Sequence, residues 1–234
     1  MRLTIAGATA AALLLLASSA FAAQPVRRVT IDVQPYYEAA RKPDVPPRVS
    51  VGRSFDGMLS SLKREDIVAA RDAVEADPQN VTPMTLMVLA IRLYDMGLRD
   101  DAVFWFYVAK ARQATLEDVV DVKTAGLSDI GGTVKNFAVL AGPFINGYAF
   151  CDPAKQYATS GKAIDWVEAH PYAVVFLAGL PGKPGDRTAN LRQSIKTQRA
   201  RAEQEQVQLN EPKFAAQLAK ARKKNKSETL FCWK

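Results

Sequence analysis

The sequence predicts a mostly α-helical protein, an irregular helical bundle with a hairpin of two close helices in its body and a basic helical hairpin at its C-terminus. Apolar residues recur at helical spacing through most of the chain, and helix-capping signals separate the segments. Hydrophobic residues make up 48% of the 234 residues, which favours a globular fold over a disordered chain.

The first 22 residues have the features of a cleavable secretory signal peptide. Arg2 supplies a positive charge, residues 13–16 are four leucines, and Ala20-Phe21-Ala22 forms an A-x-A cleavage site with the cut after Ala22. A permanent anchor needs about 20 apolar residues, and Ser18 interrupts the run before that length. We therefore expect a periplasmic or secreted protein with no integral membrane segment after cleavage.

Composition divides the chain into four expected segments. These are the signal peptide 1–22, an extended proline-rich lead 23–55, a helical core domain 56–180 and a basic C-terminal helical arm 181–234. Within the lead, residues 29–33 alternate briefly, which is typical of a short strand or of a strap along the body. Two prolines and two glycines in residues 180–185 predict a linker or hinge before the arm.

Charge is unevenly distributed along the chain. Residues 55–182 carry eleven Lys/Arg against sixteen Asp/Glu, whereas residues 183–234 carry thirteen against five. The arm could bind an acidic protein or an anionic envelope surface, or it could simply be a solvated helix surface. It lacks interleaved aromatic residues, so we expect no nucleic acid partner. The candidate binding cations are Lys220, Arg222, Lys223, Lys224 and Lys226.

Two cysteines, Cys151 and Cys232, remain in a chain predicted to enter an oxidising compartment. A disulfide between them would close a loop of about 80 residues and stabilise the fold by roughly 3–4 kcal/mol. The alternative is two unrelated buried thiols. Because there is a single histidine and the cysteines have no partner at ligand spacing, the sequence predicts neither a metal site nor a cofactor.

A pair of helices in the body carries the most specific pattern. Thr82-Pro83 predicts the start of one helix, Gly97 its end, and Asp100 or Asp101 the cap of a second helix over residues 102–113. Small and large residues then fall at the spacing of close antiparallel helices: Ala90, Leu93, Gly97, Ala102, Phe106 and Ala109. Residues 84–113 thus resemble one tetratricopeptide or Sel1-like repeat, which implies a helical hairpin. No second copy is present, so no solenoid is expected.

The remaining helical segments follow from periodicity and breakers. We expect helices over residues 63–76, 115–122, 134–150, 153–169, 172–177, 187–209 and from Pro212. The helix over residues 134–150 is expected to be kinked or split at Gly142-Pro143, and residues 172–177 are expected to form either a helix or a strand. Arg112 is expected near the C-terminal end of its helix, where a cation is favourable.

Residues 104–108 (Phe-Trp-Phe-Tyr-Val) are apolar on every side of their helix. A helix of this kind is usually a central core helix. In the alternative interpretation, Trp105 or Tyr107 protrudes and anchors a partner, as aromatic residues do in interface hot spots.

No catalytic motif is present. His170, with Asp165 and Glu168 nearby in sequence, is the one candidate for acid–base chemistry. The sequence therefore favours an exported helical protein-interaction or adaptor protein over an enzyme, one version being an immunity-type inhibitor of an exported toxin. The alternatives are an envelope-surface-binding module that uses the basic arm, and a hydrolase without a recognisable motif.

Overall fold

The computed structural model describes residues 24–29, 34–35, 48–49 and 51–233, and the predicted helical fold is confirmed there. The predicted signal peptide, residues 1–22, lies outside the described residues, as do residues 30–33 of the predicted strand. Two-residue strands, β1 (Gln34–Pro35) and β2 (Arg48–Val49), pair in parallel with Gln34 opposite Arg48.

Helices account for most of the described chain after residue 52. They are α1 (Arg53–Ser60), α2 (Arg64–Ala76), α3 (Pro83–Asp95), α4 (Arg99–Val119), α5 (Ser128–Ala149), α6 (Pro153–Ala169), α7 (Arg187–Asn210), α8 (Pro212–Lys224) and α9 (Ser227–Phe231). Short 3₁₀ turns cover Pro78–Asn80 and Ala173–Phe176.

The segment for which a repeat-like hairpin is expected contains α3 and α4, the most extensively packed pair of helices in the described residues. The Thr82 hydroxyl accepts a hydrogen bond from the Thr85 amide at 3.0 Å, which caps α3 as the sequence predicts. α4 also packs against α5, α6 and α7, so it is the central helix of the bundle. This position explains why its residues 104–108 are apolar on every side.

The boundaries of α4 differ from those predicted. Residues 113–119 contain no glycine or proline, so the helix continues to Val119 and absorbs most of the short helix expected over residues 115–122. It begins at Arg99, which places Asp100 and Asp101 in the first turn and not at the cap. Arg112 consequently lies inside the helix and is fully buried, not at its C-terminal end.

α5 is a single helix that runs through Pro143, so of the two expected alternatives, a kink or a split, the split is wrong. Proline removes one backbone donor and normally bends or breaks a helix. Here Ala141 and Ile145, on either side of Pro143, are both fully buried, and packing of this face holds α5 together.

Both ends of the described chain are attached to the body. The Val29 amide donates to Asp95 Oδ1 at 2.7 Å, and the Val26 amide donates to the Leu230 carbonyl at 2.7 Å. Val26 and Val29 are therefore held against α9 and α3, whereas most of the segment 29–33, for which a strand or a strap is expected, lies outside the described residues. The predicted linker is also pinned, because the Lys183 amide donates to the Val119 carbonyl at 2.9 Å.

Within the described ranges, none of the helices is both long and apolar enough to cross a membrane.

Candidate interaction groove

Two long helices, α5 and α7, pack on the same central helix α4 and much less on each other. Two adjoining cavities of about 430 and 300 Å³ lie between α5 and α7, and a third of about 720 Å³ continues past the end of α5, between the body and the arm. The first two share Lys110, Ala114 and Arg201, and the last two share Phe150. We call these three cavities together the α5–α7 groove. Its lining on the α5 side runs from Val134 to Phe150, about 24 Å at the rise of an α-helix.

Most of the lining comes from α4, α5, α7, α8 and the turn before α9, and α6 adds a smaller part. From α4 come Tyr107, Lys110, Ala111, Gln113, Ala114 and Glu117, and from α5 come Val134, Lys135, Ala138, Val139 and Asn146. From α7 come Gln198, Arg201, Ala202, Glu205, Leu209 and Asn210, and from α8 and the turn come Ala215, Leu218, Ala219, Arg222, Lys223 and Lys226. α6 contributes Pro153, Gln156, Ser160 and Ile164.

The central cavity has a polar floor. Gln156 Nε2 donates to the Tyr107 hydroxyl at 3.1 Å, and that hydroxyl donates to Asn146 Oδ1 at 3.1 Å. Burial raises the pKa of Tyr107 to about 12, against the partial opposing effect of the Gln156 hydrogen bond. The tyrosine therefore stays neutral and the hydrogen-bond chain stays intact across the physiological pH range.

Lys110 lies at the edge of this floor, with its ammonium group 5.4 and 5.8 Å from the ring centres of Phe106 and Tyr107. Lys110 is exposed at the surface. The surrounding protein nevertheless partly desolvates its ammonium group, which lowers the pKa of Lys110, and the Glu205 carboxylate partly opposes that shift. Both charges face the groove from opposite helices, α4 and α7.

The first cavity combines a buried amide with an exposed apolar side chain. Gln113 is 4% exposed, and its Nε2 donates to Glu117 Oε1 at 2.8 Å. Its Oε1 is buried and has no hydrogen-bond partner in the described part of the chain. Glu117 also pairs with Lys135 at 2.8 Å. On the wall formed by α5, Val139 is 74% exposed.

The third cavity lies between the body and the arm. Phe150 and Pro153 form its body side, while Leu209 and Leu218 line it from the arm. α8 has no fully buried residue, so its apolar side chains are only partly covered. Lys226, in the turn between α8 and α9, has a φ of 53°, the left-handed region that usually selects glycine.

A disulfide joins Cys151 to Cys232, as the sequence predicts, across 81 positions of the chain. It fastens the short helix α9 beside the end of α5. Arg222 lies over this junction, where it pairs with Glu228 at 2.9 Å and donates to the Gly147 carbonyl at 3.4 Å. The two sulfur atoms and Glu228 form a compact cluster, but sulfur atoms bonded to each other are not thiolate ligands for a metal.

The structure separates the predicted binding residues into four groups, of which the buried aromatic residues are the first. Trp105 is 1% exposed and packs edge-on against Phe104 and Trp166, so the expectation that it protrudes is wrong. Tyr107 is also buried, although it contributes to the lining of the central cavity and its hydroxyl donates to Asn146.

Of the predicted cations, Lys223 and Lys226 are exposed and line the groove. Lys220 and Lys224 are exposed on α8 and do not contribute to the groove lining. Arg222 differs from the expectation of a free cation because its side chain is 14% exposed and ion-paired.

The residues considered for hydrolysis are engaged in structural contacts. Asp165 and Glu168 both accept hydrogen bonds from the Arg199 guanidinium. His170 Nδ1 lies 2.9 Å from the Trp166 carbonyl, and its ring lies against the Trp166 ring. The two carboxylates thus face α7 and not the imidazole.

The sequence alone does not reveal the groove, since it depends on how far α5 and α7 diverge across α4. Gln113, Asn146, Gln156 and Arg201 are ordinary polar helix residues in the sequence. One signal is present: α7 has a thin apolar stripe, and its members Ala202 and Leu209 line the groove. Because α7 has so few apolar residues, its neighbouring helices leave part of its inward face uncovered.

Comparison with known proteins identifies one relative over nearly the full length. A Haemophilus influenzae protein described as an uncharacterized protein is 36% identical over 222 residues, which cover 95% of this chain and 85% of the relative. No family model matches the chain. No solved structure matches it either.

Proposed function

This chain belongs to the family of the Haemophilus influenzae protein, and we propose that it is an exported helical protein that works by binding another protein. The α5–α7 groove carries this proposal. A partner helix is commonly bound in a groove between helices, with apolar anchors at successive turns. The length of the groove, about 24 Å, corresponds to roughly four turns of such a helix.

Export is supported by two independent features. The N-terminal sequence has the charge, leucine run and A-x-A site of a signal peptide. The Cys151–Cys232 disulfide fits an oxidising compartment such as the periplasm. A specific version of the proposal is an immunity-type inhibitor, in which the partner is an exported toxin.

A second candidate is binding of the arm to an anionic envelope surface. Lys220, Lys223, Lys224 and Lys226 are exposed, and none forms an ion pair with another described residue. Such a cluster attracts anionic head groups or polymers in a salt-dependent manner. This candidate uses α8 alone and does not require the rest of the groove.

Site-specific photocrosslinking in producing cells tests the first candidate. A photoreactive phenylalanine analogue replaces Val139, which is 74% exposed on the groove wall. The matched control carries the same analogue at Leu62, which is 80% exposed and outside the groove lining. We expect a discrete protein adduct from position 139 and none from position 62.

Adducts of equal yield from both positions, or no protein adduct from position 139, would contradict the proposed function. The second candidate is tested separately by sedimentation with phosphatidylglycerol vesicles. Binding that falls on replacement of all four lysines by glutamine would support it.

A further inference from the structure

We propose that the α5–α7 groove recognises an acidic amphipathic helix of the partner, an inference that rests on the proposed function and specifies its ligand. The lining holds six basic side chains and three acidic ones. The basic residues are Lys110, Lys135, Arg201, Arg222, Lys223 and Lys226, and the acidic residues are Glu117, Glu205 and Glu228.

The excess positive charge is free to bind a ligand. Two of the three carboxylates are already neutralised, because Glu117 pairs with Lys135 and Glu228 pairs with Arg222. Four cations have no ion pair within the described ranges, and they are distributed along the whole groove: Lys110, Arg201, Lys223 and Lys226. Only Glu205 opposes them. A ligand with several carboxylates would therefore be favoured.

Apolar surface accompanies these cations along the groove. Val139 stands exposed on the α5 wall, and Phe150, Leu209 and Leu218 surround the third cavity. A highly charged polymer would leave this surface uncovered. An amphipathic segment would bury it with one face while its carboxylates meet the cations at the rim.

The walls favour a helix over an extended peptide. Extended peptides obtain their main-chain hydrogen bonds from a sheet edge, and the groove is lined by helices and the turns between them. A helix satisfies its own backbone. The groove length matches about 16 helical residues at 1.5 Å per residue.

Two details at opposite ends of the groove also point to a ligand. Lys226 occupies a left-handed position where glycine is preferred, and its side chain lines the groove. Glycine would suit this backbone conformation better, but it would remove the positive charge that Lys226 places at the groove. At the other end, the 4%-exposed Gln113 has an amide oxygen without a partner among the described residues, which can accept a hydrogen bond.

The test is a fluorescence anisotropy titration of the full protein, purified from producing cells, with synthetic 16-residue peptides. The probe peptide has leucine and alanine at i, i+3, i+4 and i+7 positions and glutamate elsewhere. One control peptide has lysine in place of every glutamate, and a second has the acidic sequence scrambled so that the apolar face is lost. We expect saturable binding of the acidic amphipathic peptide and of neither control peptide, and this binding should weaken at high salt.

Matched variants locate the binding site. Lys223→Gln should weaken binding of the probe about two- to five-fold, as expected for one exposed ion pair. Lys220→Gln, on the same helix but outside the lining, should leave binding unchanged. Lys226→Gly should weaken binding to a similar extent as Lys223→Gln, while its thermal midpoint stays at or above that of the parent.

Three outcomes would overturn this inference. They are no binding of the acidic peptide, equal losses for Lys220→Gln and Lys223→Gln, and Lys223-dependent binding to phosphatidylglycerol vesicles but not to the peptide. If position 139 still crosslinks to a protein, the proposed function survives and only the acidic-helix inference fails. If no adduct forms at position 139, the proposed function fails, whatever the peptide does.

Discussion

Arg112 Nη2 donates a hydrogen bond to the carbonyl oxygen of His170 at 2.7 Å, which ties the middle of α4 to the end of α6. The other guanidinium nitrogen, Nη1, donates to the carbonyls of Pro78 at 2.6 Å and Val81 at 2.8 Å. The guanidinium carbon also lies 4.8 Å from the centre of the Trp166 ring. A fully buried arginine thus joins three segments of the bundle through carbonyl groups and an aromatic face, and burial lowers its pKa to about 10.

Replacement of Arg112 with methionine should destabilise the protein by about 3 kcal/mol or more. The apolar stem is kept, but three backbone carbonyls lose their donor, and an unsatisfied buried acceptor costs about 1–3 kcal/mol. Urea denaturation followed by circular dichroism measures the change. Arg64→Met, at an exposed position of α2, is the control and should stay within about 0.5 kcal/mol. Equal stabilities for the two variants would refute the structural role of Arg112.

Removal of the disulfide should loosen the C-terminus. The double variant Cys151→Ala/Cys232→Ala loses a cross-link across 81 positions, which corresponds to about 4 kcal/mol in the loop-entropy estimate. We expect a lower urea midpoint and faster proteolysis after α8. Reductant should produce a similar loss in the parent and none in the double variant. A reductant effect on the double variant would show that the loss has another cause.

Gly147 is required by the packing of α5 against α9. A Cβ atom at this position would lie 2.8 Å from the Phe231 ring, closer than carbon atoms approach. Gly147→Ala should therefore destabilise the protein by about 1–3 kcal/mol through displacement of α9. The same substitution at Gly161, inside α6 with no neighbour near the new Cβ atom, should stabilise by about 0.5–1 kcal/mol. Thermal unfolding distinguishes these opposite signs, and equal effects would contradict the assigned contact.

Tyr107 should make stability fall in strongly alkaline solution. Its pKa is raised to about 12 in the folded state, above the value near 10 expected when unfolded. The resulting contribution to the free energy of unfolding is complete below pH 10 and is lost as the pH rises through 12. Two pKa units correspond to about 2–3 kcal/mol. Denaturation between pH 9 and 12 should show a smaller decline for Tyr107→Phe than for the parent; identical declines would exclude Tyr107 as the source.

Local signals predicted the helices well. Thr82 caps α3 as expected, α6 spans the predicted residues 153–169, and the cysteine pair forms the predicted disulfide. The two errors in helix boundaries have different causes. α5 continues through Pro143 because the residues around it are buried, and α4 runs on to Val119 because no breaker follows residue 113.

The candidate site was only partly predictable. Lys223 and Lys226 were identified by charge, whereas the opposite wall was not, since Val139 and Gln113 have no distinctive sequence context. The sequence leaves open whether Trp105 protrudes, because an all-apolar helix segment does not reveal which of its sides is covered. The contacts of α4 with four other helices answer that question, and they follow only from the tertiary arrangement.

Competition at position 139 tests the central claim, that this protein binds a partner through the α5–α7 groove, most directly. The photoreactive variant at position 139 is irradiated in an extract of exported proteins with increasing amounts of the acidic amphipathic peptide or of its lysine counterpart. The groove account predicts that the protein adduct disappears with the acidic peptide and persists with the lysine peptide. Where the anisotropy titration shows Lys223-dependent binding of the acidic peptide, an adduct that is undiminished at a saturating concentration of that peptide would contradict binding of the partner in this groove.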